Sequence, residues 1–246
     1  MFKSRTLFIV GAGASEEFGL PVGAMLAATI SKKLNILYDE SGVKIKTGDA
    51  ELWEQIHYTY QKELREYQGA AWLIRDGILF SSSIDDFLDV HNQNKRAVHV
   101  GKTAIIKSIL EAERSSKLFY DNSSRSTKMN VSKLEGTWLI KFVRMLGRGI
   151  PLEKAETIFE NVAFVVFNYD RCIEYFLFVA LQQLYNIDQP RAAKLLQGLC
   201  IIHPYGSVAS LPHESNDGIS FGGAADRLVA PYLTLSDQVS CWCSSC

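Results

Sequence analysis

The chain lacks an excess of either charge, and that removes one class of function at once. Its 26 Lys and Arg against 27 Asp and Glu leave a formal net charge of −1 over 246 residues. Nothing in that balance draws a polyanion, so no nucleic-acid partner is expected. Long apolar runs are also missing. The longest follows Arg171 and is interrupted by Glu174 and Gln182, too short and too polar to span a bilayer. Lys3 and Arg5 lead only into "LFIV" before Gly11, so no signal peptide is read and no membrane partner is expected. Cysteine is scarce and odd in number, five in all, which predicts a reduced, cytoplasmic protein. Cys241, Cys243 and Cys246 crowd the end of the chain, with His213 the nearest further ligand and no second knuckle around it. A structural zinc site draws on separated knuckles, so the expectation is an irregular tail at 224–246 and no metal.

What is there reads as an ordinary globular composition, 47% hydrophobic and 22% charged. "RTLFIV" predicts a first strand, buried on both faces because nothing polar alternates along it. After a glycine turn, Pro21 suits a first helical position, and Val22, Met25, Leu26, Ile30, Leu34 and Leu37 follow at helical spacing. "AELWEQIHYTYQKELREY", "KTAIIKSILEAERS" and "KLEGTWLIKFVRML" read as helices, and Ser83 three residues before Asp86 begins another. The serine-rich "YDNSSRSTKMNVS" reads as a loop. A second strand, "NVAFVVFNYD", precedes the apolar helix "RCIEYFLFVALQQLY", and a third, "LCIIH", runs into "PYGSV". Strand–helix–strand succession predicts an α/β fold with a Rossmann-like parallel sheet. Residues 40–150 would form a large helical insertion or cap between the first two clear strands, within a single domain over 1–246.

Ligands of such sheets bind where parallel strands end. The first strand ends in Gly11-Ala12-Gly13-Ala14-Ser15, the second in Asn168-Tyr169-Asp170 and the third in His203-Pro204-Tyr205-Gly206-Ser207. Glycines let a phosphate approach main-chain N–H groups, and a helix start adds partial positive charge. The usual dinucleotide fingerprint needs a third glycine where this chain has Glu16, which counts against an ordinary dinucleotide oxidoreductase. Each element also has a plain alternative. A strand-to-helix turn can bind nothing, Asn and Asp are favoured helix caps, and a histidine ending an apolar strand can be a hydrogen-bonded core residue. His57, His91 and His99 fall on helix surfaces and read as solvated.

Together, GAGAS, the NYD ending, HPYGS and "SIDDFL" resemble the sirtuin-like family, especially its prokaryotic branch of NAD hydrolases used in antiviral defence. The resemblance implies that Gly11, Ala12, Gly13 and Ser15 hold the NAD phosphates and nearby ribose, with Gly206 and Ser207 also at the binding site. It implies that Asn168 orients an attacking water, that Asp170 contacts the carboxamide, and that His203 serves as general base. Deacylating sirtuins carry two Cys-x-x-Cys knuckles, and none lies between Gly13 and His203. Pro21 is followed by Val22 and Gly23 rather than by the family's "DFR". The implied reaction is therefore cleavage of NAD to nicotinamide and ADP-ribose, held silent by an activator or by homo-oligomerisation until needed. No Arg or Lys is placed for a 2′-phosphate, which leans to NAD over NADP. The alternative is a catalytically silent module that binds NAD or ADP-ribose and signals to a partner.

Overall fold

A computed structural model describes residues 2–42, 44–120 and 129–223. Most of the serine-rich loop and the cysteine-bearing tail lie outside the described residues. In chain order the elements are β1 (Thr6–Val10), α1 (Gly13–Glu16), α2 (Gly23–Lys33), β2 (Leu37–Tyr38), β3 (Ile45–Thr47), α3 (Ala50–Thr59), α4 (Leu64–Gly77), α5 (Ile84–Val90) and α6 (Lys95–Ser115). They continue with α7 (Trp138–Leu146), β4 (Val162–Val166), α8 (Cys172–Tyr185), α9 (Gln189–Leu196) and β5 (Cys200–Ile202). The fold is mixed α/β, and its described residues divide into two compact units, one formed by 2–20 with 112–223 and the other by 21–111.

The first unit is built on a parallel sheet of order β1-β4-β5. Thr6 to Val10 pair with Val162 to Val166 in unbroken register, and Ala163 to Val165 pair with Cys200 to Ile202. Phe8 and Phe164 therefore lie side by side on one face, their rings stacked at 5.2 Å. Phe142 of α7 meets both edge-on at 5.3 Å, an arrangement that adds to plain area burial. Val10, Val162 and Val166 continue this face into a core shared with α7, α8 and α9.

The opposite face corrects the expectation for the first strand. Leu7 is 58% exposed and Ile9 is 72% exposed. Among the described residues β1 stands at the edge of the sheet, and only alternate side chains of a strand can face one packed layer. An unbroken apolar run here marks an edge strand with one covered face, not burial on both.

The second unit holds α2 to α5, the β2–β3 hairpin and α6 as far as Glu111. Pro21 does not open a helix. The chain makes the single turn of α1 first, and α2 starts at Gly23 behind an extended Val22. Nor does α2 reach Leu37. It ends at Lys33, and Leu34 and Ile36 are buried while Leu37 and Tyr38 pair with Thr47 and Ile45. The polar run after Tyr38 is a hairpin loop, where Asp39 N–H donates to the Lys44 carbonyl at 2.8 Å. The helix expected over 50–67 breaks at Tyr60 into α3 and α4. Asp49 caps α3 by accepting from Leu52 N–H, and Ser83 caps α5 by accepting from Asp86 N–H, both at 3.0 Å.

Lys107, almost fully buried, is matched by Glu51 at 2.5 Å, Glu111 at 3.0 Å and Asp49 at 3.8 Å. His99 is not solvated. Its Nδ1 bonds the Tyr67 hydroxyl at 3.1 Å, and burial alone lowers its pKa to about 4. Among the described residues no helix is long and apolar enough to cross a membrane.

Candidate functional site

Because β1, β4 and β5 run parallel, their carboxyl ends deliver three chain segments to one edge of the sheet. The segments beginning at Gly11, Phe167 and His203 meet there. Phe167 N–H still donates to the Val10 carbonyl at 2.8 Å, which keeps the first two together past the end of the strands. Val208 N–H donates to the Tyr169 carbonyl at 3.0 Å and fastens the third to the second.

A hydrogen-bond relay links the first two. The Asn168 amide donates through Nδ2 to Ser15 Oγ at 2.9 Å, and the Ser15 hydroxyl donates to Asp170 Oδ1 at 3.0 Å. Asp170 Oδ1 also accepts from Cys172 N–H at 3.1 Å, so it performs part of the capping role open to it from sequence. All three side chains are buried; Asn168 is only 5% exposed. Burial pushes the Asp170 carboxyl upward, Cys172 and Ser15 oppose this by hydrogen bonding, and the nearby Glu113 charge adds to the rise. Ser15 thus decides which way the Asn168 amide faces. With Nδ2 committed, Oδ1 is a buried acceptor that has no partner among the described residues.

His203 closes the group from β5. Its Nδ1 donates to the Asn168 carbonyl at 2.8 Å, and its Nε2 donates to Glu174 Oε1 of α8 at 2.6 Å. Burial would lower the imidazole pKa. The Glu174 charge and hydrogen bond, with the Asn168 carbonyl, outweigh it and raise the pKa to about 9. Burial pushes the Glu174 carboxyl up, but the His203 charge and hydrogen bond bring it below its ordinary value. The two shifts agree on an ion pair at neutral pH. Both ring nitrogens then carry protons and both are in use, so the ring can accept a proton only after giving one up.

Gly11 and Gly13 are exposed, and a Cβ built on either would meet no other described residue within 4 Å. Neither has a positive φ. Neither packing nor backbone angle among the described residues requires glycine at these two positions. Ala12 precedes the single turn of α1, in which Ala14 and Ser15 N–H groups are taken by the Gly11 and Ala12 carbonyls at 2.9 and 3.1 Å. Such a short helix supplies little dipole, so an anion here would depend on backbone approach. Gly206 is explained by its turn, with φ +83° and its N–H on the His203 carbonyl at 3.0 Å. Ser207 is exposed and stands apart from the relay. The sheet edge therefore gathers Ser15, Asn168, Asp170 and His203, beside the open turn of Gly11, Ala12 and Gly13.

Sequence reasoning missed Glu174, although it is the carboxylate that interrupts an otherwise apolar helix, and a buried charge requires a partner. It also missed a clasp beneath the site. Arg171 donates through Nε and Nη2 to Glu113 at 3.0 and 2.5 Å, and through Nη1 to the Ile219 carbonyl at 2.6 Å. Glu113 further accepts from Arg171 N–H at 3.2 Å and Gly222 N–H at 3.0 Å. The clasp holds Ile219–Gly223 as turns rather than as a strand.

In comparison with known proteins, no family model, no curated protein and no solved structure matches the chain.

Proposed function

We propose that this chain is a Rossmann-like, sirtuin-like NAD hydrolase that splits the nicotinamide–ribose bond to give nicotinamide and ADP-ribose. One observation carries the reading: where three parallel strands end, the Asn168 amide, set by Ser15, leaves Oδ1 buried with no partner among the described residues, while the Asn168 backbone carbonyl accepts from His203. An unsatisfied buried acceptor costs about 1–3 kcal/mol, and a ribose hydroxyl or the attacking water would supply the donor it lacks. Gly11 and Gly13 would admit the phosphates to the backbone, which gives a reason for glycine where packing gives none.

The chemistry suits these groups. As the C1′–N bond breaks, its electron pair passes to the pyridinium nitrogen and neutral nicotinamide leaves without acid catalysis. Water adds its oxygen to the resulting oxocarbenium-like C1′ and gives up a proton. Asn168 would hold that water in line, and such positioning supplies a large share of rate enhancement. Asp170, whose burial favours its neutral form, would meet the carboxamide. His203 would take the water's proton once its own ion pair has released one, a step worth roughly a hundred- to ten-thousand-fold.

The closed His203–Glu174 pair favours a second reading, a silent module that binds NAD or ADP-ribose and passes the signal to a partner. Under the hydrolase reading, an activator or self-association would have that pair to open. A place in anti-phage defence follows from the motif resemblance. Release of free nicotinamide from NAD by the purified chain, with Asn168→Ala and His203→Ala alongside, separates the two. Release abolished in both variants is the expected result. Binding of NAD without release, unchanged by either substitution, would refute the hydrolase.

A further inference from the structure

We infer that Glu174 is a positioning residue for His203, its carboxylate gripping Nε2 and turning the ring onto the Asn168 carbonyl, and that it sets when this histidine can act as a base. The inference rests on the hydrolase reading and adds to it a group that does not touch the substrate. Three observations carry it. The Nε2–Oε1 contact is short, at 2.6 Å, and both side chains are largely withdrawn from water, each 12% exposed. The opposite ring nitrogen is spent on the backbone of the residue that orients the attacking water. Finally, Glu174 lies on a different element from His203, so the contact is not a by-product of local chain geometry.

The charged surroundings leave Glu174 as the principal partner. From the turn before α8, Asp170 adds to the attraction on His203, and Arg171 on that turn draws Glu174 down. From the 210–222 strap, His213 and Glu214 feel the Glu174 charge, but neither forms the contact on the ring. His213 is instead stacked on Phe178 at 3.8 Å. With Glu174 ionised, His203 holds both protons through neutral pH and becomes a base only as the pH approaches about 9. Without that charge burial weighs more heavily on the imidazolium, so the base should become available well below 9, while the ring loses its fixed orientation.

The test uses the full chain and Glu174→Gln, which keeps the side-chain volume and an acceptor oxygen but not the charge. Glu174→Asp keeps the charge and shortens the reach. Two quantities are followed against pH: the NMR titration of labelled histidine, with His203→Ala for assignment, and kcat/KM for nicotinamide release. Expected for the wild type is titration of His203 near 9 and an activity limb at the same pH. In Glu174→Gln both should move down together, well below 9, with a lower plateau from the loosened ring. In Glu174→Asp the plateau should fall while the limb stays high.

A purely structural Glu174 would lower the plateau in both variants and leave the limb in place, which overturns the inference with the hydrolase intact. A wild-type His203 that titrates at its ordinary value overturns it directly, whatever the activity. Wild-type protein that releases no nicotinamide at any pH, with the titration moving as expected, removes the hydrolase and this role with it while leaving the ion pair standing.

Discussion

Replacing Glu113 by Ala should be among the most damaging single changes in the first unit. Glu113 and Arg171 are 0% and 1% exposed, and their carboxylate and guanidinium meet at 2.5 Å. The substitution removes the Glu113 carboxylate from the buried Arg171 guanidinium, and it also takes away the acceptor of the Arg171 and Gly222 backbone N–H groups. Removing one member of a buried pair costs about 3–5 kcal/mol, a large share of a total stability of roughly 5–15 kcal/mol. For a chain of this size each kcal/mol moves Tm by roughly 2–4 °C, so a fall of about 6–20 °C is expected. Thermal unfolding followed by circular dichroism measures it. Glu113→Gln keeps one acceptor oxygen and should fall between wild type and Ala. The double change Glu113→Leu with Arg171→Met should recover more than half of the loss, because a buried pair is not intrinsically better than well-packed apolar groups. A drop below about 1 kcal/mol for Glu113→Ala, the scale of an exposed ion pair, would refute the reasoning.

Stability should also depend on pH with a definite sign. The folded-state pKa of His203, about 9 against an ordinary 6.5, means its contribution is complete below 6.5 and lost as the pH rises through 9. That loss should be on the order of 3 kcal/mol, since each pKa unit corresponds to about 1.4 kcal/mol. On the acid side, Glu174 is lowered from 4.5, and its contribution disappears as the pH falls below that value. His213, lowered to about 4 by burial, loses its contribution between 6.5 and 4. Glu214, raised to about 7 chiefly by burial, works in the opposite direction and loses its contribution as the pH rises between 4.5 and 7. Urea unfolding at several pH values should therefore show stability falling between 6.5 and 9, and Glu174→Gln should flatten that alkaline fall. An unchanged alkaline side in that variant would sink the assignment. Gly13→Ala tests the open turn. The new Cβ meets no described residue and the backbone is permissive, so stability should stay level or rise by about 0.4–1 kcal/mol. Affinity for NAD, read by calorimetry, should fall by about tenfold or more, equivalent to about 1.4 kcal/mol. Equal affinity would mean that no ligand approaches the backbone at Gly13.

How much of this was legible in the residues follows from the range of each interaction. Strand ends could be read because the apolar runs stop abruptly at Gly11, Asn168 and Pro204, and parallel pairing then brings those ends together without further information. The face of β1 could not be read. Leu7 and Ile9 have the same side-chain character as Phe8 and Val10, and only which face of the sheet packs against the core separates exposed from buried. The end of α2 was hidden for a related reason. Leu34 and Leu37 fit a helical stripe, while Ile36 and Leu37 equally fit the approach to a hairpin, and local spacing does not choose between them.

The site divides in the same way. Ser15, Asn168, Asp170 and His203 each follow a strand and announce themselves as polar groups at the end of an apolar run. Their functional state depends on partners that the runs do not contain. Glu174 is 29 residues from His203, and Glu113 is 58 residues from Arg171. Burial makes these pairs necessary, because an isolated charge cannot remain in the interior. Composition can therefore say that Glu174 must be matched, but only the fold says by what. The match bears directly on chemistry: on the surface His203 would lie near its ordinary 6.5, and beside Glu174 it is held near 9. The strand-end motifs locate the edge at which a ligand could bind, whereas a carboxylate on the following helix decides whether its histidine is free to take a proton.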